Sequence, residues 1–157
     1  LLLDIASGEV VCSGLSMPHS PRWHRDRLWP VNAGSGEFGW VDLALGRFEA
    51  IAFCPGFLRG LAFVDGHAVV GLSMQRENRT FRDLALDARL SDKGVASRCA
   101  LQVIDLERGD VAHELRIEGV VSELFDVAVL PGARNPGAVG LRSDEIRRTI
   151  VLPPGVD

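Results

Sequence analysis

The stretch Val41-Asp42-Leu43-Ala44-Leu45-Gly46 decides the fold of this sequence, because its pattern recurs along the chain. The pattern is an apolar residue, Asp, an apolar residue, two variable residues and Gly, and it begins again at positions 3 and 104. The three aspartates, Asp4, Asp42 and Asp105, are 38 and 63 residues apart. A period of about 40–45 residues is typical of a propeller blade of four strands. The longer spacing predicts one unit that carries an insertion of 25 residues.

Each copy of the pattern predicts a hairpin turn. The Asp side chain caps a tight turn, the Gly supplies a positive φ, and an antiparallel strand returns. Further short strands bounded by turn residues are predicted at 27–31, 38–42, 47–53, 60–64, 68–72, 101–105, 111–117, 127–130 and 138–141. The sequence therefore predicts an all-β fold, a β-propeller fragment of about three blades of four-stranded antiparallel sheets with one short helical insertion.

The repeats predict a single partial propeller domain over 1–157. Its parts are the end of a preceding blade at 1–14, a blade at 19–56, a blade at 57–120 with an insertion at 75–98, and an incomplete blade at 122–157. Within the insertion, Leu86 and Leu90 followed by Gly94 favour a short helix with a Gly cap. Since propellers close with roughly four to eight blades, we expect a piece of a larger ring, or an open stack that pairs its edges with another copy.

Composition excludes several classes of function. The 157 residues are 46% hydrophobic, which excludes a disordered chain, and the net charge of −4 argues against nucleic acid as a partner. No apolar run approaches the roughly 20 residues of a bilayer span, so no membrane partner is expected. Cys12, Cys54 and Cys99 lack the spacing of a zinc site or a disulfide framework. They are predicted to be buried, reduced thiols, which suits a cytoplasmic location.

Candidate binding residues come from the loops that enter each innermost strand and the loops between the second and third strands, because both sets lie on one face of a propeller. Arginine binds carboxylate or phosphate through two hydrogen bonds, so this face suits a small anionic or hydroxylated ligand. An alternative is that Arg59 and Asp126 form a structural ion pair between neighbouring blades. The predicted ligand-binding residues are His19, Arg22, Asn32, Arg59, Asp126 and Glu145.

Other polar and aromatic residues bear on a metal site, on hydrolase chemistry and on the core. Asn32, Asn78, Asp126 and Glu145 could gather round a Ca²⁺ ion, which takes carboxylate and amide oxygens. No Gly-x-Ser-x-Gly elbow is present, which disfavours a serine hydrolase. Three tryptophans of the first full blade are predicted to pack in the core, namely Trp23, Trp29 and Trp40.

Five segments carry a more specific pattern: Met17-Pro18-His19-Ser20-Pro21-Arg22-Trp23-His24, Phe57-Leu58-Arg59-Gly60-Leu61-Ala62-Phe63, Val70-Gly71-Leu72-Ser73, Glu118-Gly119-Val120-Val121 and Asp144-Glu145-Ile146-Arg147-Arg148. Together they resemble a bacterial family of conserved hypothetical proteins described as domain of unknown function 4915. The resemblance covers most of the chain and implies a β-propeller fold, with members longer than this chain and no established activity. Pro30 departs from that pattern inside a predicted strand, where proline removes a ladder donor.

Two functions follow as expectations. The first is a binding module whose polar face holds a small anionic or polar ligand or a protein partner, without a cofactor. The second is a Ca²⁺-dependent lactonase-like or esterase-like hydrolase, in which the metal would polarise a carbonyl. The second rests on analogy of fold alone, and one fold hosts many functions. Whether the protein is an enzyme is left open at this point.

Overall fold

The computed structural model describes residues 1–74, 84–134, 137, 140, 142 and 144–148. Most of the secondary structure in this part is antiparallel β-sheet, and one α-helix accompanies it. The strands are β1 (Leu2–Leu3), β2 (Val10–Cys12), β3 (Pro18–His24), β4 (Arg27–Asn32), β5 (Glu37–Asp42), β6 (Arg47–Phe53), β7 (Phe57–Val64), β8 (His67–Ser73), β9 (Ala100–Asp105) and β10 (Val111–Arg116). The helix α1 is Ala85–Asp92.

The strands form one hairpin and two four-stranded sheets. The hairpin pairs β1 with β2, the first sheet has the order β3-β4-β5-β6, and the second has the order β7-β8-β9-β10. Each four-stranded sheet is an antiparallel meander in chain order, which is the pattern of a propeller blade. The predicted fold class is confirmed, whereas the boundaries of the domain and its blades stay predictions.

The three copies of the sequence pattern form the predicted turns. In each turn the Asp Oδ1 accepts hydrogen bonds from the backbone N–H groups two and three residues later, at 2.8–3.1 Å. These bonds lower the pKa of Asp4 and of Asp105 below the ordinary value. The Gly of each turn has a positive φ, at Gly8, Gly46 and Gly109. The sequence pattern therefore acts as the joint between the last two strands of each unit.

The core lies between the two four-stranded sheets. Trp29 stacks on Phe38 with ring centroids 5.4 Å apart, and Phe63 of the second sheet meets Trp29 edge-on at 5.9 Å. Trp29 is buried and Trp40 packs against the core, but Trp23 is 62% exposed, so its predicted core position is wrong. Trp23 lies on the edge strand β3, which pairs with β4 alone, and solvent reaches it there.

The predicted helix in the insertion is confirmed. Its residues Leu86 and Leu90 are buried, and Gly94 follows its C-terminal end with a φ of +61°. The three cysteines are buried and free, and burial raises the pKa of the Cys54 thiol to about 12. No helix within the described residues has the length and apolar character needed to cross a membrane.

The predicted strand at 127–130 is wrong, because the described residues 117–134 contain no strand. This segment instead bonds to the end of β8, where Met74 N–H donates to the Ser122 carbonyl at 2.8 Å and Ser73 Oγ bonds both the N–H and the carbonyl of Leu124. These contacts involve single groups at a strand end and make no backbone ladder. Of the predicted strand at 138–141, all residues except Gly140 lie outside the described part.

Candidate functional site

Three chain segments lie side by side: the first strands of the two sheets, β3 and β7, and residues 125–127. The Gly60 N–H of β7 donates to Ser20 Oγ of β3 at 3.0 Å. On its other side, a Cβ added to Gly60 would stand 2.5 Å from Val127 N and 2.6 Å from the Asp126 carbonyl carbon, so only glycine fits. Gly60 thus allows residues 125–127 to lie directly against β7. We call the polar surface at this junction the inner rim, formed by His19, Ser20, Arg22, Arg59, Gly60, Phe125 and Asp126.

Arg59 and His19 form the centre of the inner rim. The Arg59 guanidinium carbon lies 4.8 Å from the centroid of the Phe125 ring, and Phe125 is 69% exposed. The His19 ring meets Phe57 edge-on at 5.7 Å. Burial, and then the positive charge of Arg59, lower the pKa of His19 from its ordinary value of 6.5. His19 is therefore mainly neutral at pH 7 and offers one N–H donor beside the guanidinium.

Arg22 pairs with Asp126 across the junction. The Arg22 Nη2 lies 3.3 Å from both carboxylate oxygens of Asp126, and Asp126 Oδ1 also accepts the N–H of Val127 at 2.9 Å. Asp126 therefore pairs with Arg22, and not with Arg59 as the alternative from the sequence had it. Within the described residues, no carboxylate pairs with Arg59. Its guanidinium lies over the Phe125 ring, a contact that attracts the cation without neutralising its charge.

Asn32 has a structural role in the first sheet. It is 6% exposed, its Oδ1 accepts the Ser16 N–H at 2.7 Å, and its Nδ2 donates to Glu37 Oε2 at 3.3 Å. Glu37 in turn pairs with Arg89 of helix α1 at 2.5 Å. The side chain predicted to bind a ligand is thus used to join the turn after β4 to the loop before β3 and to the helix.

The remaining predicted residues lie elsewhere. Glu145 is exposed on a short 3₁₀ helix, Asp144–Arg147, and Asn78 lies outside the described residues. In the part of the chain that the structure describes, no group of three or more His, Cys, Asp or Glu side chains could hold a metal ion. The oxygens of Asn32 and Asp126 already accept hydrogen bonds from protein groups. A Ca²⁺ site built on all four predicted residues stays a prediction.

Phe125 is a residue of the inner rim that the sequence reasoning missed. His19 and Arg59 each stand five residues before the end of their strands, at His24 and Val64. Phe125 stands five residues before Leu130, which precedes the turn residues 131–132. Alignment of the three entering segments on their turns would therefore have found Phe125 as the third equivalent position.

The stacked four-stranded meanders and the polar inner edges of their first strands are consistent with part of a β-propeller. The chain belongs to the family described as Domain of unknown function (DUF4915), whose sequence profile matches residues 1–139. This match confirms the family resemblance, and the family's description names no activity. No curated protein matches the chain.

Proposed function

We propose that the protein is a ligand-binding module of a propeller-like domain, and that the inner rim holds a small anionic ligand. Arg59 supplies the charge and the forked hydrogen bonds for a carboxylate, and His19 adds one neutral donor. The exposed face of Phe125 covers the apolar part of the ligand. A protein partner could place an acidic side chain on the same residues. The proposal here is the small ligand.

The observation that carries this function is the pairing of charges in the rim. Asp126 would repel an anion, but Arg22 lies 3.3 Å from both of its oxygens. Arg59 stands beside this pair without a carboxylate partner among the described residues. A guanidinium that lies over the face of a ring keeps its N–H groups, which lie in its own plane, open to a ligand. The rim therefore presents one net positive charge that is held in place by packing.

Binding without turnover fits these residues better than catalysis. Ser20, whose hydroxyl would be the nucleophile of the rim, accepts the N–H of Gly60 at 3.0 Å. Within the described part of the chain, His19 bonds to no carboxylate that would orient it as a general base. A serine nucleophile needs both a base and an orienting group.

Titration with malonate, followed through the imidazole NMR signals of the four histidines, tests this function. We expect malonate to shift the His19 signal in a saturable way. Arg59→Ala should weaken this binding by about 10-fold to 100-fold, since hydrogen bonds to charged groups contribute about 1.5–3 kcal/mol. The loss follows from removal of the forked donor.

Arg27→Ala is the matched control, because Arg27 also lies over an aromatic ring, 4.3 Å from the centroid of Trp40, but outside the rim. It should leave malonate affinity unchanged. Malonate binding that Arg59→Ala does not weaken, or that shifts the other histidines and spares His19, would contradict the proposed function. The signal of His19 is assigned by its disappearance in His19→Gln.

A further inference from the structure

A second polar cleft lies at the opposite edge of the first sheet, beside its outer strand. It is an open cleft with a volume of about 250 Å³, lined by residues 50–53 of β6, by Glu37, and by Arg89 and Lys93 at the end of helix α1. It shares no lining residue with the inner rim. A cleft of this size is slightly smaller than a typical pocket for a drug-sized ligand, so it suits a molecule of few atoms.

Two cations meet one aromatic ring in this cleft. The Lys93 Nζ lies 5.3 Å and the Arg89 guanidinium carbon 6.0 Å from the centroid of the Phe53 ring. Glu37 neutralises Arg89, with Oε1 and Nη1 2.5 Å apart. No carboxylate of the described residues pairs with Lys93. The cleft therefore contains one positive charge that no carboxylate of the described residues balances.

Hydrogen bonds fix Glu37 and Arg89 on the wall of the cleft, whereas Lys93 is exposed at its mouth. Glu37 is largely buried, and its Oε2 accepts Ser35 Oγ at 2.7 Å and Asn32 Nδ2 at 3.3 Å. Arg89 also donates to the Ser35 carbonyl at 3.2 Å. Lys93 directly follows α1, whose Leu86 and Leu90 are buried. A site whose charges are held in advance spends little free energy on ordering when a ligand arrives.

We propose that this cleft binds a small monocarboxylate that carries an apolar or aromatic group. The carboxylate pairs with the Lys93 ammonium and with the open edge of Arg89, and the apolar group lies against Ile51 and Phe53. One unbalanced positive charge matches one negative charge. A phosphate dianion fits less well, because its second negative charge finds no unbalanced cation among the described residues of the cleft.

Lys93 is the only lysine in the sequence, which makes the test sharp. Reductive methylation with ¹³C-formaldehyde labels Lys93 and the N-terminal amine, retains their charge and gives one NMR signal from each. Benzoate is then titrated into the labelled 157-residue chain. We expect a saturable shift of the Lys93 signal with a Kd on the order of millimolar, as a ligand of few atoms allows, and no shift of the N-terminal signal.

Variants locate the binding in the cleft. In unlabelled protein, Lys93→Gln should abolish the benzoate-induced shifts of the Ile51 and Phe53 amide signals. The control Arg108→Gln, which removes an exposed cation outside the cleft, should retain them. A thermal melt of each variant establishes that it is folded.

Three results would overturn this assignment. The first is equal shifts of the Lys93 and N-terminal signals, which indicate attraction of any anion to any amine. The second is an inorganic phosphate titration that shifts Lys93 at lower concentration than benzoate. The third is absence of a Lys93 shift up to about 50 mM benzoate, well above a millimolar Kd. None of these results depends on whether malonate binds the inner rim, so the two sites are tested independently.

Discussion

The ring of His24 joins the two sheets, and protonation of this ring is expected to weaken the contact. It stacks on Phe63 with centroids 4.1 Å apart and planes 3° from parallel, and its Nε2 is buried without a hydrogen-bond partner among the described residues. Burial, and then the nearby charge of Arg25, lower the pKa of His24 from 6.5. A protonated ring at this place would bring an unpaired charge into the contact between the sheets.

This lowered pKa predicts that the folded state loses stability as the medium becomes acidic. The unfolded chain takes up the proton near pH 6.5, before the folded chain does. Because the unfolded state then binds more protons, the free energy of unfolding falls as pH decreases through 6.5 toward the lower folded pKa, and it is retained above 6.5. We expect a lower urea midpoint at about pH 5 than at about pH 7.5.

Substitution of the histidine separates its share of this effect. His24→Phe keeps an aromatic ring against Phe63 and removes the titrating group, so the difference between the two urea midpoints should shrink. His113→Phe, a control at an exposed residue of β10, should retain the full difference. Equal pH dependence in His24→Phe and in the unchanged protein would show that His24 does not contribute.

Individual site residues were only partly predictable from the sequence. The propeller topology predicts that His19 and Arg59 lie on one face, because both occupy the same position in consecutive inner strands. In the structure the two side chains are close together. The partner of Asp126 was not predictable, since it depends on Gly60 allowing the third segment close enough for Arg22 to reach it. The burial of Asn32 and its bond from the Ser16 N–H arise only on folding, so the sequence did not predict this structural role.

At the scale of the element, strand β7 contains a glycine that sets how closely its neighbour packs. Gly60 has a φ of +86°, and a Cβ there would meet only backbone atoms of Asp126 and Val127, which cannot rotate away. Gly60→Ala should therefore lower the free energy of unfolding by about 2–5 kcal/mol. The expected loss is the sum of about 1–2 kcal/mol for the left-handed backbone and about 1–3 kcal/mol for overpacking. Urea unfolding measures it.

Gly66 supplies the matched control for that substitution. Its φ is +81°, but the nearest atom to an added Cβ is the flexible Arg25 Nη2 at 3.7 Å. Gly66→Ala should thus cost only the backbone part, about 1–2 kcal/mol. Equal losses in the two variants would show that the segment at 125–127 moves away from β7 without cost and does not pack tightly on it.

Elements that depend on local sequence were predicted well. The Asp-Gly turns, the helix with Leu86 and Leu90, and the strands of both sheets follow from residues close together in the chain. Pro30 was expected to disturb β4, and the β4–β5 pairing indeed passes from Leu28 to Val31 without pairing the residues between. The predicted strand at 127–130 was wrong because no strand of the described residues pairs with it, and a β-pattern forms a strand only through such pairing.

At the scale of the whole molecule, the blades are joined by contacts that repeat from unit to unit. The turn glycine of one unit lies against the outer strand of the unit before it: an added Cβ at Gly46 would be 3.2 Å from the Val11 carbonyl, and one at Gly109 would be 3.1 Å from the Ile51 carbonyl. The segment after the second sheet continues this stacking on the inner side. Its attachment, however, depends on few groups.

Ser73 is the main polar anchor of that segment, and its loss should release the segment without unfolding the sheets. Ser73 is 3% exposed, and its hydroxyl accepts the Leu124 N–H at 2.8 Å and donates to the Leu124 carbonyl at 3.2 Å. Ser73→Ala should speed hydrogen exchange of the Leu124 amide about 10-fold, since a lost hydrogen bond costs about 1–1.5 kcal/mol. Amides in the centre of β8 should exchange as before.

Ser122→Ala is the control, because Ser122 contributes its backbone carbonyl to Met74 and keeps it after the change. If Leu124 exchanges at the same rate in Ser73→Ala, the packing on Gly60 alone holds the segment; if β8 also accelerates, the segment and the second sheet open as one unit.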